Sequence, residues 1–282
     1  MDNLESFSKI ASQYRVIFFD AYGVLKNSSG IIDGVPDVLA RLAREGKEFY
    51  VITNDASRSP ERMAKAYRHP EHGDLIPAEK NISSGMLTQE FLAARMKSGS
   101  VAYLGKHGAA YYIESAGLEA VPIAEVEDLE SLRALVLMDD EGFDWFADLN
   151  KAVNIVRRVN IPVIVANTDI TYPVRGNEVA IAVGSLANMI EPIVRKTLYR
   201  FGKPDTQIFS FAYARVRAAI PDIRKQDVLM VGDTLGTDIL GANKFGIDTA
   251  LVLSGNTQRA NFELLIRSSG IIPTNVCESI MT

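Results

Sequence analysis

Short apolar runs rich in β-branched and aromatic residues alternate with longer helix-like stretches along almost the whole chain. No other feature restricts the fold as much. The runs are Val16–Phe19, Phe49–Thr53, Ser100–Leu104, Ala134–Met138, Pro162–Ala166, Val228–Val231 and Thr249–Leu253. Between them lie helix-like stretches near Pro36–Glu45, Pro60–Arg68, Ala109–Ser115, Trp145–Arg158, Leu186–Phe201, Gln207–Ala219 and Thr237–Phe245. Strand–helix alternation means βαβ units and a mostly parallel sheet. Val16-Ile17-Phe18-Phe19 and Val228-Leu229-Met230-Val231 are apolar at every position, as in strands covered on both faces. Ser59-Pro60 reads as a helix N-cap followed by proline at the first helical position. Gly46 suits a helix C-terminus. No fixed-period repeat, charge block or Gly/Ser linker marks a domain boundary.

An open parallel sheet binds its ligands beyond the carboxyl ends of its strands, so the residues that follow the apolar runs are the candidates for chemistry. Asp20-Ala21-Tyr22-Gly23 follows the first run. It is either a plain βα turn or a carboxylate nucleophile or metal ligand at a strand tip. Thr53-Asn54-Asp55 ends the second run. It is either an N-cap cluster or a grip on phosphate oxygens. Gly202-Lys203-Pro204 precedes a helix, and Lys203 is either a surface lysine or an ammonium aimed at an anion. Gly232-Asp233 through Asp238 follows Val228–Val231. Capping explains one of these two aspartates comfortably and the pair less well, whereas Mg²⁺ suits a few carboxylates with waters and phosphate. Taken together, carboxylates, a threonine, an asparagine and a lysine at the strand tips of one sheet are the parts for phosphoryl transfer.

With these four segments in this order, the chain resembles the haloacid dehalogenase (HAD) superfamily, and within it subclass IIA, the NagD-like sugar-phosphate and nucleotide phosphatases. The resemblance implies a Rossmann-like α/β core with a parallel sheet at residues 1–83 and 196–282, and an inserted α/β (C2-type) cap at 84–195. Thr53 and Lys203 are 150 residues apart, too far for a single crossover, and the family places its cap there. The resemblance further implies a Mg²⁺-dependent phosphatase acting on a small organic phosphate monoester through an aspartyl-phosphate. Asp20 is then the nucleophile. Asp20, the backbone carbonyl of Tyr22 and Asp233 hold Mg²⁺, and Asp238 supports the ion through water. Thr53, Asn54 and Lys203 bind the phosphoryl group, and Lys203 also offsets the charge on Asp20. Asn167 and Asp169, in Ala166-Asn167-Thr168-Asp169, correspond to the cap segment that faces substrate. Self-association through the cap is a further implication.

The chain departs from the family pattern at Tyr22, where a second aspartate usually protonates the leaving group and then activates water. A phenol titrates near 10 in model compounds. General acid–base help is typically worth ~10²–10⁴ in rate, so esters with good leaving groups lose least. The alternative is a catalytically weak or inactive HAD-fold protein that binds a phosphorylated ligand. A dehalogenase would not need the Asp233/Asp238 pair, and a mutase depends on the missing acid.

Composition limits the remaining classes. The formal net charge of −5 argues against a nucleic-acid-coating surface. No apolar run approaches the ~18–20 residues of a membrane span. The single cysteine, Cys277, excludes an internal disulfide and a cysteine-based zinc cage. The polar, acidic start Met1-Asp2-Asn3-Leu4-Glu5 does not read as a secretory signal, so a reduced, cytoplasmic setting is expected. Leu104-Gly105-Lys106-His107 lacks the spacing and the Ser/Thr of a P-loop. His69-Pro70-Glu71-His72-Gly73 reads as a solvated loop, Asp139-Asp140-Glu141 as a solvated turn, and Trp145-Phe146 as the start of a buried stripe.

Overall fold

The computed structural model describes residues 4–174 and 178–282. The chain forms two compact units. One comprises the residues up to Thr53, Pro60–Ile82 and Lys203–Thr282, and the other Asn54–Ser59 and Ser83–Gly202.

The first unit is built on a six-stranded sheet in the order Asn275–Cys277, Asp248–Val252, Val228–Gly232, Val16–Phe19, Glu48–Thr53, Asn81–Ser83. The first five strands of that order pair in parallel. Val16–Phe19 and Val228–Gly232 are buried at every residue, as their uniform apolarity requires. Successive side chains of a strand face opposite sides. Ile17 and Phe19 therefore join one core with Phe7, Leu39, Leu42 and Phe49, while Phe18 packs edge-on against Tyr50. The register sets Phe19 opposite both Val231 and Val51. Asp20 thus leaves the sheet level with Gly232, with its amide donating to Val231. Helix Val35–Arg44 ends as expected, with Gly46 in the left-handed region at φ 72°, which glycine enters without strain.

The second unit carries a five-stranded sheet in the order Tyr199–Arg200, Val163–Val165, Leu132–Leu137, Ser100–Leu104, Glu119–Pro122. All of its pairs are parallel. Helices Ala147–Arg158 and Val183–Val194 bury Leu149, Ala152, Leu186 and Ile190 in its core. Helix Ser84–Arg95 turns Gly85 toward Tyr112, where a Cβ would meet the ring at 2.3 Å.

Several expectations are corrected. The helix expected over Leu186–Phe201 ends at Val194, with Arg195 left-handed, and Tyr199–Arg200 becomes an edge strand beside Val163–Val165. Residues 196–202 accordingly group with the second unit, as do Asn54–Ser59, whereas the expected division falls at 83/84 and 195/196. The helix expected from Thr237 is a π-helical turn, Leu235–Ile239, followed by a helix, Leu240–Phe245. Trp145 and Phe146 are exposed, Phe146 at 83%, so they do not begin a buried stripe. Asp139 is buried, not solvated. Among the described residues no helix is long and apolar enough to cross a membrane.

Candidate active site

Parallel pairing of Val16–Phe19 with Val228–Gly232 delivers Asp20 and Asp233 to the same edge of the sheet. The π-helical turn then carries Asp238 back toward them. Asp20, Asp233 and Asp238 each offer a carboxylate oxygen within 4.8 Å of the others. Lys203 completes the group, with its Nζ 2.5 Å from Asp20 Oδ1 and 2.6 Å from Asp238 Oδ1. Its side chain is only 3% exposed. A buried ammonium costs several kcal/mol unless it is paired, and this one is held by two carboxylates.

Glycines make the approach possible. A Cβ at Gly23 would lie 2.2 Å from Asp233 Oδ2, and one at Gly255 1.9 Å from the same atom. Gly23 also takes a φ of 84°. At Gly232 a Cβ would lie 2.2 Å from the Asp238 Cβ. The carboxylates are oriented by short polar contacts. Asp233 Oδ1 accepts from the Thr234 hydroxyl at 2.9 Å, and its Oδ2 from the Asn256 amide at 2.6 Å. Asp238 Oδ2 accepts from the Thr234 amide at 3.1 Å. Both Asp238 oxygens are therefore engaged by the protein itself.

Among the described residues the electrostatics are unbalanced, with three carboxylates facing one ammonium. Asp233 is pushed up to about 7, first by burial and then by the charge of Asp20, against the pull of the Asn256 amide, the Thr234 hydroxyl and Lys203. Asp238 is raised well above the ordinary carboxylate range, again chiefly by burial. Lys203 opposes that shift, and the Asp20 and Asp233 charges add to it. The site is short of positive charge, and its donor atoms are all hard oxygens. That donor set fits a divalent cation such as Mg²⁺.

A family model for haloacid dehalogenase-like hydrolases matches residues 17–119, and a second, HAD-hydrolase-like, matches 200–281. The fold superposes on a possible sugar phosphatase of the HAD superfamily from Cytophaga hutchinsonii with a TM-score of 0.93, at 50% identity over 99% of each chain. The chain belongs to the haloacid dehalogenase-like hydrolases. NagD from E. coli K-12 shares the fold at a TM-score of 0.74 and 22% identity, over 95% of this chain and 98% of its own. Human chronophin is 29% identical over 94% of this chain and 90% of its own. A glycerol phosphate phosphatase from Mycobacterium tuberculosis, solved with magnesium, shares the fold at a TM-score of 0.78 and 24% identity, over 99% of this chain and 78% of its own.

The other expected HAD site residues are placed as follows. Thr53 is the last residue of its strand and is buried. Tyr22 is half-buried in a tight turn in which the Gly23 amide donates to the Lys26 carbonyl at 2.8 Å. Asn54 belongs to the second unit. Its side-chain amide donates to Asp169 Oδ1 at 2.9 Å and to Thr168 Oγ1 at 3.1 Å, and Asn167 Oδ1 accepts from the Asp169 amide at 2.8 Å. A Cβ at Gly202 would lie 2.4 Å from Asn54 Oδ1, so only glycine lets the chain run past Asn54 on its way to Lys203.

Sequence reasoning missed Thr234 and the Ser254-Gly255-Asn256-Thr257 loop. The loop supplies the Asn256 amide to Asp233, and its Ser254 hydroxyl donates to the Gly23 carbonyl at 2.9 Å. A signal was present, since these polar residues follow the apolar run Thr249–Leu253, as the other site segments follow theirs.

Proposed function

We propose that this chain is a Mg²⁺-dependent phosphatase of a small organic phosphate monoester, a sugar phosphate or nucleotide, working through an aspartyl-phosphate on Asp20. The observation that carries this reading is the convergence of Asp20, Asp233, Asp238 and Lys203 at the carboxyl edge of one sheet. Asp20 and Asp233, with the Tyr22 carbonyl, would hold the ion. Asp238 would act on it through water, since Lys203 and the Thr234 amide already occupy its two oxygens. Bound there, Mg²⁺ would neutralise the phosphoryl oxygens and polarise phosphorus. The choice of Mg²⁺ is supported by the magnesium complex of the mycobacterial phosphatase, although that enzyme was also solved with calcium.

An Asp20 carboxylate oxygen attacks phosphorus, and the ester P–O bond breaks with its electron pair on the leaving alkoxide. Lys203 holds Asp20 in place and lowers the repulsion between two anions. Thr53 and the Asn54 amide bind the transferring oxygens. Water then attacks the phosphorus of the aspartyl-phosphate, releasing inorganic phosphate and restoring Asp20. Tyr22 stands where an acid would protonate the alkoxide, so that proton comes from solvent. Turnover should therefore rise steeply with leaving-group quality. In the second unit, Asp169 and Asn167 are assigned to substrate choice, and Asp169→Ala should change KM across substrates more than it changes the response to Mg²⁺. The exposed Phe146, Met189 and Ile193 of that unit support self-association, which light scattering would test. The buried Cys277, its thiol pushed up to about 12 by burial, suits a cytoplasmic setting without taking part in chemistry.

The experiment is phosphate release from p-nitrophenyl phosphate and a panel of sugar phosphates and nucleotides, with Mg²⁺ and with chelator, for wild type, Asp20→Asn and Tyr22→Asp. Metal-dependent release that Asp20→Asn abolishes supports the reading. Tyr22 favours one other reading, a binding protein with an inert site. A silent wild type beside an active Tyr22→Asp would establish that one instead.

A further inference from the structure

The hairpin Arg68–His69/Gly73–Asp74 folds His69, Glu71 and His72 onto one another. The two imidazoles stack with ring centroids 5.0 Å apart and 28° between planes. One ligand atom from each of the three side chains lies within 4.8 Å of the other two. A carboxylate from another element stands beside them: Asp37, in the first turn of helix Val35–Arg44, sets Oδ1 3.2 Å from His72 Nε2. The Glu71 amide donates to His69 Nδ1 at 3.3 Å, which turns that ring into the loop. Sequence spacing alone makes these residues a solvated loop. The structure shows two nitrogen donors and two carboxylates drawn together from two elements of the first unit.

We propose that His69, Glu71 and His72, with Asp37 beside His72, form a second metal site that takes a borderline transition cation such as Zn²⁺. The donor chemistry separates it from the Asp20 cluster. Imidazole nitrogens suit Zn²⁺, Co²⁺, Ni²⁺ and Cu²⁺, whereas the all-oxygen set of Asp20, Asp233 and Asp238 suits Mg²⁺. Bonds to zinc of about 2 Å in a tetrahedral arrangement bring donors to roughly 3.3 Å from one another. Rotation of exposed side chains is enough to close that gap. A carboxylate on the ring nitrogen of a metal-bound histidine orients the ring and raises its basicity, and Asp37 stands in that position. Glu71 and His72 are exposed and His69 half-buried, so water fills any remaining coordination position. A bound ion would join the hairpin to the helix through Asp37.

The test is titration of the full chain with Zn²⁺ by calorimetry in a large excess of Mg²⁺, repeated with Co²⁺ to read its visible ligand-field bands. Wild type and Asp20→Asn should each take up one equivalent of Zn²⁺, because the Asp20 cluster is not used. The His69→Gln/His72→Gln double variant should lose that equivalent and the Co²⁺ bands while unfolding at the same temperature as metal-free wild type. If the double variant fails to fold, His72→Gln alone should weaken uptake at least tenfold. Absence of Zn²⁺ uptake by wild type, or uptake undiminished in the histidine variants, would overturn the proposal.

Discussion

Lys203 illustrates how much one side chain decides. It is buried, it bridges Asp20 and Asp238, and it is the cation that offsets them. Lys203→Met leaves the buried Asp238 and the partly buried Asp20 without their ammonium partner. Loss of one preorganised charge-stabilising group typically costs about 10²–10³ in kcat, so activity should fall by at least that much. Breaking a buried ion pair from one side costs about 3–5 kcal/mol. Denaturant unfolding should show a loss approaching that range, reduced where Asp238 takes up a proton. Gly255 and Asn256 supply a paired test. Gly255→Ala drives a methyl into Asp233 and should weaken Mg²⁺ binding strongly. Asn256→Ala keeps the backbone amide on Asp233 and loses only the 2.8 Å bond from Asn256 Nδ2 to Thr234 Oγ1. Its effect should stay within about 1 kcal/mol. Equal losses of Mg²⁺ affinity in the two variants would show that the amide is not what orients Asp233.

The strand Leu132–Leu137 of the second unit leads into Met138 and Asp139, whose Oδ2 is buried with no hydrogen-bond partner among the described residues. Burial, with the charge of Asp140 adding, raises Asp139 to about 6, against Lys106 and the Asp140 amide. An acid whose pKa is higher folded than unfolded binds more protons when folded, so stability falls as pH rises from about 4 to 6. The loss should be on the order of 1–3 kcal/mol. Asp139→Asn keeps an oxygen for the Asp140 amide and removes the titration, so its unfolding free energy should vary less over that window. An unchanged pH profile would remove Asp139 as the cause. At this scale the sequence was legible where a pattern is local. The strands flanking Asp20 and Asp233 read correctly because uniform apolarity marks two-sided burial. The end of helix Val183–Val194 did not, because the residues beyond it keep a helix-like pattern and only pairing with Val163–Val165 makes Tyr199–Arg200 a strand. Nor did the burial of Asp139, since an acidic run at a strand end reads as solvated wherever no neighbour is known.

For the whole molecule, the excess of carboxylate over ammonium at the Asp20 cluster would make a metal bound there a folding ligand. At 100 times its dissociation constant, a bound ion adds about 2.7 kcal/mol. Mg²⁺ should therefore raise the Tm by several degrees, and chelator should reverse the rise. Asp233→Asn removes one buried charge. Without metal it should be at least as stable as wild type, and it should lose the Mg²⁺-dependent rise. A Tm in wild type indifferent to Mg²⁺ would count against a metal at this cluster.

The alternation of runs and helices determined the class of fold by itself, because periodicity and strand burial are local consequences of composition. The strand ends that carry Asp20, Thr53 and Asp233 were legible in the same way, because a parallel sheet places its strand tips at one edge. Only the tertiary structure decided that Lys203 bridges Asp20 and Asp238, that Gly23 and Gly255 clear space for Asp233, and that the Asn256 amide orients it. Only the tertiary structure brought His69, Glu71 and His72 together beside Asp37. These contacts join residues that are distant in sequence or turned toward one another by a hairpin. Their energies depend on ångström distances and on exclusion of water, neither of which any local pattern of residue types encodes.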